Sequence, residues 1–181
     1  MNIRIISGVY GKRIIEGSGT TRTHPMGERI RNALFNIVGT EVQGARVLDA
    51  FAGSGSLGLE ALSRGAVEAT FIERDRVAQN VITNNIQTLN VAEVTKLVKA
   101  PVAKWLNTYE GEPFDIIFAD PPYHDTQLST VLELLGILKP NGLMVLSYPG
   151  NGEVPTKLEN VVVDVRSYGD AVLIFYRKEG V

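Results

Sequence analysis

Four consecutive residues, Asp120, Pro121, Pro122 and Tyr123, close an apolar run (Phe114, Ile116, Ile117, Phe118, Ala119), and their types suit chemistry on a planar amine. An exocyclic amine on a purine is a poor nucleophile because its lone pair is delocalised into the ring. The Asp120 carboxylate and the Pro121 carbonyl are two acceptors that could fix its two N–H groups and aim the lone pair at an incoming methyl group. Orientation and stabilisation of developing positive charge then replace a dedicated base. The prolines lock φ and carry no N–H, so the turn presents carbonyls with little freedom to move. Tyr123 offers a flat face to an extruded base, with stacking worth on the order of 1 to 3 kcal/mol per base.

A second cluster lies seventy residues upstream in DAFAGSGSLGLEAL, where Gly53, Gly55 and Gly58 make a G-x-G-x-x-G between an expected strand and an expected helix. The glycines let backbone approach a ligand closely. Glu73, twenty residues after Gly53, can accept hydrogen bonds from ribose hydroxyls. Both a nicotinamide dinucleotide and S-adenosylmethionine use such a loop. Asp49, four residues before the first glycine, places negative charge where a pyrophosphate would be unwelcome and a sulfonium would not. The loop alone favours the methyl donor moderately, and the DPPY turn decides for it.

These residues need elements to bring them together. From Ala45 onward short apolar runs alternate with helix-like stretches, the pattern of βαβ units and a mostly parallel sheet. Strands are expected at 46–50, 68–73, 94–98, 114–119 and 142–147, with helices at 56–64, 76–89, 101–108 and 126–137. VVVDVRSYGDAVLIFYR then reads as an antiparallel hairpin turning near Gly169. Ahead of the sheet, a small hairpin through Gly8 to Gly11 leads into a helix at 28–38 with Ile30, Leu34 and Ile37 on one face. Ligand crevices in such sheets open at the carboxyl ends of the strands where their order reverses. The glycine loop and DPPY are expected to face each other there.

Length and composition agree with one domain: 181 residues, 44% of them hydrophobic. A basic arm at 1–40 and a core at 41–181 are expected within it. No cysteine and only two histidines leave no thiolate or zinc chemistry, so no metal is expected. No apolar run approaches the ~18 residues of a membrane span, and the chain is expected to be cytoplasmic. The formal net charge is -2, but residues 1–35 carry six bases and two acids against twelve bases and eighteen acids in the remainder. A basic arm on an acidic body suits contact with phosphates.

The residues so far are those of the class I S-adenosylmethionine-dependent methyltransferases, whose amino-methylating branch carries [D/N/S]-P-P-[Y/F/W]. Over nearly its full length the chain resembles the RsmD-type 16S rRNA guanine-N2 methyltransferases. The likeness rests on RIISGVYGKR at 4–13, ERIRNALFNIV at 28–38, LDAFAGSGSLGLEALSRGA at 48–66, FIERD at 71–75, FADPPY at 118–123 and SYGDAVLIFYR at 167–177. It implies a Rossmann-like α/β fold with a seven-stranded, mostly parallel sheet and an antiparallel C-terminal strand, plus the N-terminal hairpin and helix. S-adenosylmethionine is the implied cofactor, and a guanine of the small ribosomal subunit RNA, in an assembled or partly assembled subunit, the implied target. Asp49, Gly53 and Gly55 would line the cofactor's methionine part, Glu73 its ribose, with Phe51, Ala52, Ser54, Gly58 and Arg74 nearby. Asp120 to Tyr123 would hold the guanine, and Arg4, Lys12, Arg13, Arg22, Arg29 and Arg31 would grip RNA, with the protein a monomer.

The chain departs from the family pattern at Arg22 to Asn32, where the paired threonines of R-P-T-T-D-R-V-R-E are missing, and after the third strand, where LVKAP has no acid for the adenine amine. Adenine-N6 in DNA or another RNA, or a protein amide, are alternative targets of the same chemistry. A nicotinamide oxidoreductase and a non-catalytic RNA-binding assembly factor are the rival classes. His24 and His124 are expected in solvent-facing loops, Asn84 and Asn85 on a solvent face, and Trp105 in packing.

Overall fold

The computed structural model describes residues 1–19, 26–150, 155, 161–169 and 171–180. A two-stranded antiparallel sheet, β1 (Asn2–Arg4) and β2 (Ile14–Glu16), precedes the helix α1 (Glu28–Val38). The main sheet follows as β3 (Arg46–Ala50), α2 (Ser56–Ser63), β4 (Glu68–Ile72), α3 (Arg76–Leu89), β5 (Thr95–Val98), α4 (Val102–Thr108), β6 (Phe114–Ala119) and α5 (Leu128–Glu133). It closes with β7 (Leu138–Pro149), β8 (Val161–Tyr168) and β9 (Ala171–Lys178).

The seven strands stand in the order β5-β4-β3-β6-β7-β9-β8, all parallel except β9. The chain builds outward from β3 to β5, then crosses back to lay β6 on the other side of β3. Asp49 pairs with Phe118 and Ala50 with Ala119, so β3 and β6 end at one level. The reversal of strand order therefore leaves a crevice between their carboxyl ends.

Period-two alternation sends the side chains of β6, β7 and β9 to both faces. Ile116, Phe118, Leu143, Val145, Leu173 and Phe175 pack with Leu34, Phe35 and Val38 of α1 and Leu57 of α2. Ile117, Met144, Leu146, Ile174 and Tyr176 pack on the opposite face with Val102 of α4 and Val131 of α5. The inner face of α1 differs from expectation: Arg31, Leu34, Phe35 and Val38 are buried, while Ile37 is 39% exposed. Phe35 sets that rotation, its ring 5.4 Å from Phe118 and beneath the Arg64 guanidinium. The helix expected at 126–137 tightens to a 3-10 turn at Leu134–Ile137, and β7 begins at Leu138 because Leu138 is buried beside Phe114.

The small sheet is fastened to α2 and α3. Glu60, fully buried in α2, accepts the N–H groups of Ile6 (2.9 Å) and Ser7 (3.1 Å) and pairs with Arg64. Ser63 takes the N–H groups of Val9 and Tyr10. Asn85 is 1% exposed, against the expected solvent face: it accepts the Glu16 N–H (2.8 Å) and donates to the carbonyls of Glu16 and Ser54 (both 2.9 Å). An amide has donors and an acceptor together, which is what a strand end and a loop carbonyl jointly require. Among the described residues no helix is long and apolar enough to cross a membrane, and no cluster of side chains could hold a metal ion.

Candidate active site

A cavity of about 620 Å³ opens at the carboxyl ends of β3, β4, β6 and β7. Asp49, Phe51, Ala52, Gly53, Ser54, Glu73, Arg74 and all four residues Asp120, Pro121, Pro122 and Tyr123 line it, so the two motifs share one crevice.

The glycine loop is shaped by carboxylates. Phe51 and Gly53 both take φ near +58°, a conformation costing a phenylalanine of order 1–3 kcal/mol, and Phe51 thereby faces the cavity. Glu73 accepts the Gly53 N–H on Oε1 and the Asp75 N–H on Oε2, both at 2.8 Å, and each oxygen retains a lone pair for a further donor. Asp49, 1% exposed, accepts the Gly58 N–H at the first turn of α2 at 2.9 Å. Gly55 and Gly58 are not among the residues that line the cavity. A Cβ on Gly58 would lie 2.4 Å from Phe71 Cε1, so this glycine is needed for helix-to-sheet contact. Gly55 turns the chain into α2 at φ +82°.

Burial raises the carboxyls of Asp49, Glu73 and Asp120. Asp49 is pushed well above its ordinary value, with the Gly58 N–H opposing and the charge of Asp120 adding to the rise. Glu73 is raised by burial against the amides of Asp75 and Gly53. Asp120 is reachable from the cavity, yet burial pushes it up to about 7 while hydrogen bonding from Ser147 pulls it down. Tyr123, 44% exposed, joins its hydroxyl to Ser147 Oγ at 2.9 Å.

The expected RNA contacts divide. Lys12, Arg13 and Arg29 are exposed, with Arg13 also donating to the Thr88 carbonyl at 2.7 Å, and Arg4 pairs with Glu28 at the surface. Arg31 is 2% exposed and turned inward, which removes it from any RNA interface: it donates to the carbonyls of Arg4 (2.6 Å) and Met26 (3.2 Å) beside Glu60. Arg22 and His24 fall outside the described residues. His124 is exposed at the cavity rim. Trp105 packs between Tyr109, at 4.5 Å, and Phe114.

Sequence reasoning missed Met26, Gly27 and Ile30 before and on α1, Ala100 to Val102 after β5, Gln127, Ser147 and Ala171, all of which line the cavity. Ser147 had a signal: it is the last residue of the strand expected at 142–147, on the neighbour of the DPPY strand. Ala119 pairs with Leu146, which sets Ser147 level with Asp120. Where an acid is absent after β5, Ala100, Pro101 and Val102 supply an apolar wall and backbone groups.

Residues 3–177 match the family model described as Conserved hypothetical protein 95. The chain is 36% identical over 147 residues to "Ribosomal RNA small subunit methyltransferase D" of Haemophilus influenzae, covering 78% of this chain and 76% of that one. It is 38% identical over 133 residues to the Escherichia coli K12 protein of the same name, covering 74% of this chain and 66% of that one. Its structure superposes on one described as "Putative methyltransferase yhhF from Escherichia coli" with a TM-score of 0.89 and 31% identity, over 100% of both chains.

Proposed function

We propose, from the premise that this chain belongs to the Conserved hypothetical protein 95 family of RsmD-like methyltransferases, that it methylates the exocyclic N2 amine of a guanine in small-subunit ribosomal RNA, using S-adenosylmethionine. The observation that carries the reading is the shared crevice: the glycine loop after β3 and the DPPY turn after β6 line one cavity.

The donor set fits a sulfonium better than a dinucleotide. A pyrophosphate would need the loop and helix N–H groups, but the Gly53 N–H is held by Glu73 and the Gly58 N–H by Asp49. Four carboxyls around the cavity, those of Asp49, Glu73, Asp75 and Asp120, suit a cation and a pair of ribose hydroxyls. Glu73 would hold the ribose, Asp49 and residues 51–54 the amino acid portion, and Ala100 to Val102 the adenine. When bound, S-adenosylmethionine supplies an electrophilic methyl group.

The protein's own residues prepare the amine. The Asp120 carboxylate and the Pro121 carbonyl accept its two N–H groups, and Pro121 and Pro122 keep that pair of acceptors rigid. Tyr123 presents an exposed ring face for the extruded base. The Asp120 carboxylate stabilises positive charge as it develops on the nitrogen and takes up the proton that the methylated amine releases. Lys12, Arg13 and Arg29, with Arg4 beside Glu28, provide the phosphate-binding arm. The protein acts in the cytoplasm, as a monomer and one domain, on an assembled or partly assembled subunit.

The test is to incubate the protein with labelled S-adenosylmethionine and small ribosomal subunits lacking the modification, with naked RNA and DNA as parallel substrates. Label is expected on N2 of one guanine of the small-subunit RNA. Label on an adenine, on DNA or on a protein side chain would overturn the assignment.

A further inference from the structure

Beyond residue 35 the chain carries twelve bases and eighteen acids, but its cations are not evenly used. Six are held by carboxylates, among them Arg46 by Glu68, Lys139 by Asp115 and Arg177 by Glu41 at the edge of the sheet away from the cavity. Lys178 donates to the carbonyls of Leu135 and Leu138, and Lys157 lies outside the described residues. The four that remain are Arg76, Lys96, Lys99 and Lys104. All are exposed, and none has an ionic or hydrogen-bonding partner among the described residues.

Topology gathers these four. β5 is an edge strand, paired only with β4. Lys96 is its second residue and Lys99 the first beyond it, roughly 10 Å apart at the ~3.3 Å rise of a strand. Ile72 pairs with Val98, and the Glu73 N–H donates to the Val98 carbonyl at 3.0 Å, so the segments that carry Arg76 and Lys99 leave adjacent strand ends at one level. Lys104 is the third residue of α4 and follows Ala100 to Val102, which line the cavity, as does Arg74 two residues before Arg76. The exposed acids nearby are Asp75, which caps α3 by accepting the Ala78 N–H, and Glu93 ahead of β5.

Fold stability accounts for little of this. Lysine on an edge strand guards against pairing with another chain, which explains Lys96 alone. Arg76 occupies the first position of α3, where a cation opposes the helix dipole. Unpaired cations at the rim of a cleft do, however, concentrate a polyanion there.

Resting on the methyltransferase reading above, we propose that Arg76, Lys96, Lys99 and Lys104 form a second phosphate-binding surface for the substrate RNA, separate from the N-terminal arm and continuous with the cavity rim at Arg74 and Ala100. The RNA backbone next to the target nucleotide runs along the β5 edge, its phosphates met by these side chains while the extruded base enters the crevice. Such contacts fix the register of the RNA and read no bases.

Binding of small-subunit RNA to the full chain, followed by filter retention across a salt series, tests the surface. Arg76→Ala with Lys99→Ala and Lys104→Ala is expected to flatten the slope of log affinity against log salt by about 2 to 3, the loss of up to three phosphate contacts. Affinity for S-adenosylhomocysteine should stay at the wild-type value. Lys99→Gln with Lys104→Gln is a milder pair, expected to flatten the slope by about 1 to 2, and serves if the triple variant does not fold. In the wild-type protein, RNA should shield Lys96, Lys99 and Lys104 from acetylation while Lys139, paired with Asp115 on the far edge, reacts as it does without RNA. Unchanged slopes in the folded variants, or equal acetylation of the three lysines with and without RNA, would overturn the proposal and leave the methyltransferase reading untouched. Shielding and flattened slopes in a protein that transfers no methyl group to the RNA would end that reading and keep the surface. A wild-type protein that does not bind small-subunit RNA would overturn both.

Discussion

At the scale of single residues, Asp120 carries two separable consequences of being a charged group in a protein-walled cleft. Its oxygens act on the amine as the reaction proceeds, so Asp120→Asn is expected to cut single-turnover methyl transfer by at least 10²-fold. Cofactor affinity, followed by calorimetry, should stay within about tenfold. The second consequence is for stability. The folded carboxyl titrates near 7 and the unfolded one near 3.8, so the folded state binds the proton more tightly. That contribution is fully present below the unfolded value and is lost as pH rises through about 7, amounting to at most about 4 kcal/mol. Urea unfolding of wild type and Asp120→Asn at pH 5 and pH 8 should show the variant gaining stability relative to wild type at pH 8. The placement of Asp49, Glu73 and Asp120 around one cavity was legible in the sequence because each sits at a fixed spacing from a glycine or proline that dictates its backbone. The burial of Arg31 was not, because its partner Glu60 is brought to it by tertiary packing, and the strand that ends at Ser147 gave no sign of the Tyr123 hydroxyl that meets it.

Elements were legible where their periodicity was strong and their junctions were not. The core strands β3, β4 and β6 and the helices α2 and α3 stand within a residue of where the apolar pattern put them. The face of α1 was misjudged because counting Ile30, Leu34 and Ile37 ignores an arginine that can be buried when a carboxylate waits for it. Asn85 was misjudged likewise, since only the assembled fold brings Glu16 and Ser54 to its amide. Asn85→Ala would leave Glu16 N–H and the carbonyls of Glu16 and Ser54 without this partner, with an expected cost of about 2 kcal/mol in urea unfolding. Gly58 and Phe71 form a second junction. Gly58→Ala should lower stability by about 1–3 kcal/mol through overpacking, and adding Phe71→Leu should recover part of the loss, a coupling that a double-mutant cycle measures.

For the whole molecule, charge and assembly decide what reaches the site. Under the proposed function, the acidic body as a whole would repel a polyanion and the exposed Lys12, Arg13 and Arg29 of the first forty residues would attract it. Lys12→Ala with Arg29→Ala is expected to reduce the slope of log affinity against log salt by about 1 to 2 for subunit RNA, while cofactor binding stays unchanged. Equal salt slopes in wild type and variant would take the arm out of the interface. That β3 and β6 are neighbours followed from motif placement and the seven-stranded, mostly parallel sheet from the family resemblance, whereas the contacts holding the small sheet in place had no local sequence signature.

That small sheet is pinned through Glu60 and Ser63 to the helix that leaves the glycine loop, and through Asn85 to the loop itself. The exposed bases of the small hairpin and the DPPY turn are thus two marks on one hydrogen-bonded ruler. Under the proposed function, a target nucleotide would be chosen by how far it lies from phosphates held at the hairpin, and so by the geometry of the folded RNA rather than by the letters flanking it.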